Sequence, residues 1–277
     1  MSEPARPRTP GSGPASGAGG ASGPRSEART DTPAGGASAW AHRWWTSLRH
    51  NVPYWPVMVW NLTLFVLLRP RRWFTTDEFP GTEALAADWK RVRDEADELL
   101  SGTPLPGFEE VDPGQVRLTD DARWKTFVLT FGGHDVVANR ARCPATTALL
   151  DDVEGVYTAM FSVLEPGKRL PLHAGAIKGV ARLLLPVVVP TGGPCLLEIG
   201  GAEHHLHEGE LLLFDDTYPH RAANLGDGPR VVLFLDLVRP MPWRWLDRAN
   251  RAFLARLGSS RRMLSAVERA ERPRAAR

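Results

Sequence analysis

A chain of 277 residues with 43% hydrophobic content can bury a real core, which excludes a fully disordered protein. Its only cysteines, Cys143 and Cys195, lie far apart and outside any C-x-x-C pattern, which argues against a disulfide framework or a structural zinc site and suits a reducing, cytoplasmic setting. The net charge of +2 hides an asymmetry: residues 1–72 carry nine arginines against three acids and residues 244–277 ten against three, leaving an acidic middle. Basic ends around an acidic body suggest that the ends meet an anionic surface, and no nucleic-acid partner is expected of the body.

Residues 1–38 are Gly, Pro, Ser and Ala with almost no large apolar side chain, a composition that predicts a disordered tail. No apolar stretch of signal-peptide type follows the start. Residues 39–72 change character. The run Val57 to Leu68 is interrupted only by Asn61 and Thr63 and is flanked by Trp44, Trp45, Trp55, Trp60 and by Arg69, Arg71 and Arg72. It is shorter than the ~20 residues a bilayer span needs. Two readings stay open: an interfacial membrane anchor with aromatic and basic edges, or a helix packed on the following domain. Association with an anionic membrane surface through residues 39–72 is the first of these.

From Thr75 to Leu100 the spacing of Leu85, Trp89, Val92, Ala96 and Leu99 predicts one helix, with Thr82 as an N-cap. After a Pro/Gly-rich loop the pattern changes to strands. "WKTFVLTF" and "DVVA" flank the turn "GGH", followed by "GVYTAMFSVL", "RLLLPVVV", "CLLEIGG", "HHLHEG", "ELLLFD" and "RVVLFLDLV". Short strands separated by turn signals predict a mainly β fold with flanking helices, a sandwich or jelly roll. Residues 241–277 predict a basic amphipathic helix with Leu246, Phe253 and Leu257 on one stripe, docked on the domain with its arginines in water, with contact to a membrane surface as the other reading.

The candidate chemistry lies in the strands. His173 and His220 each stand beside a turn at a strand end, 47 positions apart, where convergence is possible but not compelled. Arg182 interrupts "VARLLLPVVVP" and Arg230 begins "RVVLFLDLV", both among apolar neighbours where an unpaired guanidinium is costly. An anion between the sheets would satisfy them; so would acids of the same domain such as Asp215 or Asp236. His205 and His207 share a strand face but read as an exposed hairpin, and Asp215 to Thr217 read as the turn that aims His220.

"FSVLEPGKRLPLHAG", "VAR", "EGELLLFDDTYPHRAAN" and "RVVLFLDL", in this order, resemble the aspartyl/asparaginyl β-hydroxylase family of Fe(II)- and 2-oxoglutarate-dependent dioxygenases, over about Trp124 to Pro240. The resemblance implies a double-stranded β-helix, a cupin-like jelly roll starting near residue 124 of a catalytic domain spanning residues 73–240. It implies iron ligation by His173 and His220, binding of the distal carboxylate of 2-oxoglutarate by Arg230 with Ser162, and help from Arg182 near the metal. The cofactors implied are Fe(II), 2-oxoglutarate and O₂. Gly175 stands where related oxygenases place a third, carboxylate ligand, and family members with glycine there work with two histidines. Leu184 stands where the family commonly has a further histidine. The expected reaction is hydroxylation of an unactivated C–H bond on a peptide, amino-acid or lipid substrate, first the β-carbon of an Asp or Asn residue or derivative, then a membrane-lipid acyl chain. A non-catalytic jelly-roll binding module is the reading from another class.

Overall fold

In the computed structural model, residues 55–102 and 104–272 are described. The expected tail over residues 1–38 and the Trp-rich residues 39–54 lie outside them. The chain begins with α1 (Trp55–Leu67), then α2 (Thr82–Ala87), α3 (Trp89–Ser101) and α4 (Phe108–Val111). Strands β1 (Trp124–Phe131) and β2 (His134–Asp135) precede α5 (Val137–Arg140) and α6 (Pro144–Asp151). Eight strands follow: β3 (Val156–Leu164), β4 (Arg169–His173), β5 (Val180–Val188), β6 (Cys195–Ile199), β7 (Ala202–His205), β8 (Leu212–Phe214), β9 (His220–Asn224) and β10 (Arg230–Val238). The helices α7 (Arg244–Gly258) and α8 (Arg261–Glu271) close the described chain.

All strand pairs are antiparallel, in a large sheet ordered β2-β1-β3-β10-β5-β8 and a small one ordered β4-β9-β6-β7. From β3 onward the chain alternates between the sheets, apart from the β6–β7 hairpin within the small one, in the order of a double-stranded β-helix, so the fold is the jelly roll expected from the strand pattern. Alternation along the large sheet separates two cores. Leu129, Phe161, Leu183, Leu233 and Leu235 face α3 and α6, while Met160, Leu164, Leu184, Val232 and Phe234 face the small sheet. Residues 182, 184, 230, 232, 234 and 236 thereby point between the sheets, which is where the two arginines meet their surroundings. Cys143 and Cys195 are buried and unpaired.

Several local expectations are corrected. The helix expected over residues 75–100 is three pieces: a 3-10 turn over Thr76–Glu78, α2 and α3. Pro80 and Gly81 break it, and Gly81, at φ 89°, takes the N-cap position expected of Thr82, whose hydroxyl donates to the carbonyl of Phe79 at 2.8 Å. "DVVA" is strand only as far as Asp135; the chain then folds back over β1, where the amide of Asn139 donates to the carbonyl of Val128 at 2.8 Å. His173 lies within a strand, β4, that reads from sequence as part of a turn, and His220 begins β9 instead of ending the strand before it. The C-terminal helix is two helices, because Ser260 caps a fresh start at α8. Leu246 and Leu254 are buried, Phe253 and Leu257 half-buried, so α7 is docked as expected.

Candidate functional site

Strands β4 and β9 pair with His173 opposite His220. Their rings stand 4.2 Å apart, centroid to centroid. Nδ1 of His173 lies 2.7 Å from the carbonyl of Pro171, and Nδ1 of His220 lies 2.9 Å from the carbonyl of Tyr218. A carbonyl can only accept, so each Nδ1 carries the proton and each Nε2 keeps a free lone pair. Burial first, then the neighbouring ring, pushes His173 down to about 4. Burial, then Arg182, does the same to His220. Two adjacent neutral imidazoles with aligned tautomers are what a divalent transition metal takes from a protein.

Asp216 is in the turn that the sequence singles out over Asp215 to Thr217, but its part goes beyond the turn. The expected turn-organising part belongs to its neighbour Asp215, which accepts from the amide and hydroxyl of Thr217 at 3.1 and 2.6 Å and is held by Arg239 at 2.7 Å and by Lys178. With that turn fixed, the Asp216 carboxylate points inward, 3.2 Å from Nε2 of His220 and paired with Arg182. A Cβ on Gly175 would fall onto this carboxylate. The glycine two positions after His173 is therefore the space that Asp216 fills. The sequence signal was the missing side chain itself: a small residue beside a candidate ligand leaves room for a group from another segment.

Arg182 is brought to the histidines, but its guanidinium is occupied. It donates to Asp236 at 3.0–3.1 Å across the β5–β10 ladder, pairs with Asp216, and lies over the Phe234 ring at 4.2 Å. Of the two openings left by the sequence, the paired one applies here. Burial lifts Asp236 to about 6 against the pull of Arg182.

Arg230 is different. It is 3% exposed, has no ion pair among the described residues, and its Nε is buried without a hydrogen-bond partner. Burial lowers it to about 10. Ser162, expected beside it, stands on the adjoining β3 opposite Val232, two residues along from Arg230, and accepts from the indole Nε1 of Trp124 at 2.9 Å. Leu184, also interior, faces Phe234 and Leu212 across its two ladders. His205 and His207 are exposed, as the hairpin reading expects.

A cavity of about 650 Å³ reaches His173, Arg182 and Asp216. Its wall includes Met160 and Phe234 of the large sheet, Val57 of α1, and Phe253 and Leu257 of α7, and it is more apolar than polar. Among the described residues no three His, Cys, Asp or Glu side chains stand together as a complete metal cage, so two imidazoles are what the chain offers directly, with open positions beside them.

The profile described as aspartyl/asparaginyl beta-hydroxylase matches residues 86–240. An ornithine lipid ester-linked acyl 2-hydroxylase from Rhizobium tropici is 39% identical over 180 residues, which cover 64% of this chain and 64% of that protein. The human aspartate beta-hydroxylase domain-containing protein 2 is 37% identical over 131 residues, 44% of this chain and 35% of that one. A Cupin_2 domain from an XRE family transcriptional regulator of Enterobacter cloacae covers 30% of this chain and 82% of its own at 19% identity and a TM-score of 0.26. The chain spans less than two thirds of the length of either relative.

Proposed function

The chain belongs to the aspartyl/asparaginyl β-hydroxylase family, and on that premise we propose that it is an Fe(II)- and 2-oxoglutarate-dependent dioxygenase that hydroxylates an unactivated C–H bond of a lipid acyl chain. The observation that carries the chemistry is the pairing of two things: neutral, tautomer-matched histidines on β4 and β9, and a buried guanidinium, Arg230, with nothing to neutralise it. A bare internal cation is costly, and a dicarboxylate whose far end reaches Arg230 supplies the missing charge. The donor set fits iron, since His173 and His220 offer two imidazoles and leave positions open for a chelating cosubstrate and O₂.

Iron with 2-oxoglutarate and O₂ would supply the oxidant that converts C–H to C–OH. The protein's own part is positional. Pro171 and Tyr218 fix the two imidazoles, Asp216 presents a carboxylate beside His220, and Arg182 holds Asp216 from behind. Asp216 is placed to accept a hydrogen bond from water at the site. Met160 and Phe234 keep bulk water from the reacting carbon.

The acyl chain is chosen over a side chain of Asp or Asn because the cavity wall is more apolar than polar, with Val57, Met160, Phe234, Phe253 and Leu257 in it, and Arg182, the lining arginine beside the histidines, is already committed to Asp216 and Asp236. The rhizobial relative's name agrees with this choice. Incubation of the full chain with Fe(II), 2-oxoglutarate and bacterial lipid extract should yield lipids heavier by one oxygen atom, located on the acyl chain by fragmentation. Oxygen insertion confined to Asp- or Asn-containing peptides would reverse the choice.

A further inference from the structure

Helix α1 is apolar but for Asn61 and Thr63, yet only one side of it is covered. Val57 and Leu64 are buried, and Trp60 stacks on Phe253 of α7 at 5.3 Å and donates from its indole Nε1 to Asn250 Oδ1 at 3.1 Å. On the opposite side Trp55, Met58, Val59, Leu62, Phe65 and Val66 form one stripe, each between 53% and 76% exposed. A helix without polar side chains toward water on its free face is stable only against something apolar. At thirteen residues α1 does not cross a bilayer, and no described helix is long and apolar enough to do so.

The surroundings say what covers it. Arg69, Arg244, Arg248 and Arg256 are exposed and carry no ion pair among the described residues, and the single acid of α7, Asp247, is bound to Arg251 at 2.9 Å. Trp243 and Trp245 are exposed at the start of α7, the helix to which α1 is fastened. An apolar stripe with unpaired arginines and exposed tryptophans on the adjoining helix complements an anionic bilayer surface. The same two helices, through Val57 and Phe253, wall the cavity that reaches His173.

The covered side of α1 touches the site directly. The Asn61 amide donates from Nδ2 to the carbonyl of Ala176 at 2.7 Å and accepts at Oδ1 from the backbone N–H of Lys178 at 2.9 Å. These bonds hold the middle and the far part of the short loop that follows His173, and the N–H of Gly175 within it donates to the carbonyl of Asp216 at 2.8 Å. On its other side Lys178 lies over the Phe65 ring at 4.4 Å.

We propose that α1 lies in the interface of an anionic bilayer with its Trp55–Val66 stripe inserted, and that Asn61 couples this docking to the order of the Ala174–Lys178 loop, so that the site is firmest when the protein is on the membrane. The lipid-substrate reading gives this docking its purpose, but the docking stands on the exposed faces of α1 and α7, and its test reads binding and loop protection, not turnover. The full chain is mixed with phosphatidylcholine/phosphatidylglycerol vesicles and with pure phosphatidylcholine vesicles, and both sedimentation and amide hydrogen exchange are followed. Wild-type protein should sediment with the anionic vesicles, more weakly with the neutral ones, and gain exchange protection over residues 174–178 when bound. The Leu62→Asp/Val66→Asp double variant changes only exposed positions and should bind at least about tenfold more weakly. Asn61→Ala should bind within about twofold of wild type, because its side chain faces away from the lipid, but lose the vesicle-induced protection. Equal binding by wild type and the double variant, or a full chain that ignores vesicles and forms a stable dimer through this face, would overturn the docking. Unchanged loop protection in Asn61→Ala would overturn the coupling.

Discussion

Replacing His173 or His220 by alanine should abolish Fe(II) binding and lower hydroxylation by more than about 100-fold, the scale on which loss of even an outer partner of a metal ligand is felt. Each ring contributes one unprotonated Nε2 to the same small space, with the rings 4.2 Å apart, so neither variant keeps a chelating pair. The fold should survive. His173 is a partly exposed strand end, and although His220 is buried, its removal leaves only the Tyr218 carbonyl and Asp216 to take up water. Far-UV circular dichroism and isothermal titration with Fe(II) under nitrogen check both halves. Retained iron affinity in both single variants would mean that the β4–β9 pair is structural. His205→Ala serves as the control, since that ring is exposed and pairs only with Glu203 at 3.4 Å.

Arg230→Met should stabilise the free protein and destroy the use of 2-oxoglutarate. Exchanging an uncompensated buried charge for an apolar side chain of similar length is worth about 1–4 kcal/mol in favour of the fold. A residue kept only for structure would behave in the opposite way. Thermal melts with and without saturating 2-oxoglutarate read both effects at once: wild type should gain stability from the cosubstrate and Arg230→Met should start higher and gain nothing. Arg230→Lys keeps the charge but loses the planar fork, so the 2-oxoglutarate requirement should rise by about tenfold or more while iron binding persists. A destabilised Arg230→Met that still responds to 2-oxoglutarate would show that the guanidinium has a structural partner and no cosubstrate role.

How much of this was legible in the sequence depends on where each strand gets its identity. Strands β1 and β10 are readable to the residue because "WKTFVLTF" and "RVVLFLDLV" are β-branched and apolar on both faces, each packed between helices and the second sheet. β4 and β9 are not. "RLPLH" contains a proline and is largely exposed, and "HRAAN" has little intrinsic strand preference; they are strands because they pair with one another and because β9 also pairs with β6. The histidines could be named as candidates from their strand-end positions and the family resemblance, but their meeting is a property of that pairing. The partners of Arg182 were half visible: Asp236 was among the acids considered, and alternation puts it on the interior face, whereas Asp216 depends on a turn that Lys178 and Arg239 hold through Asp215. The exposed stripe of α1 was equally hidden, since a helix that is apolar but for Asn61 and Thr63 gives too little periodicity from which to tell its covered side from its free one.

One site that holds both Fe(II) and 2-oxoglutarate has a spectroscopic signature. It is tested most directly by adding the two to the full chain under strict exclusion of oxygen and recording the visible absorption spectrum. The account predicts a charge-transfer band that requires both additions, disappears on admission of air as 2-oxoglutarate is consumed, and is absent from His173→Ala and Arg230→Met. A spectrum that stays featureless while the wild-type chain is folded, with no 2-oxoglutarate consumed in air, would contradict it and leave the jelly roll a binding module.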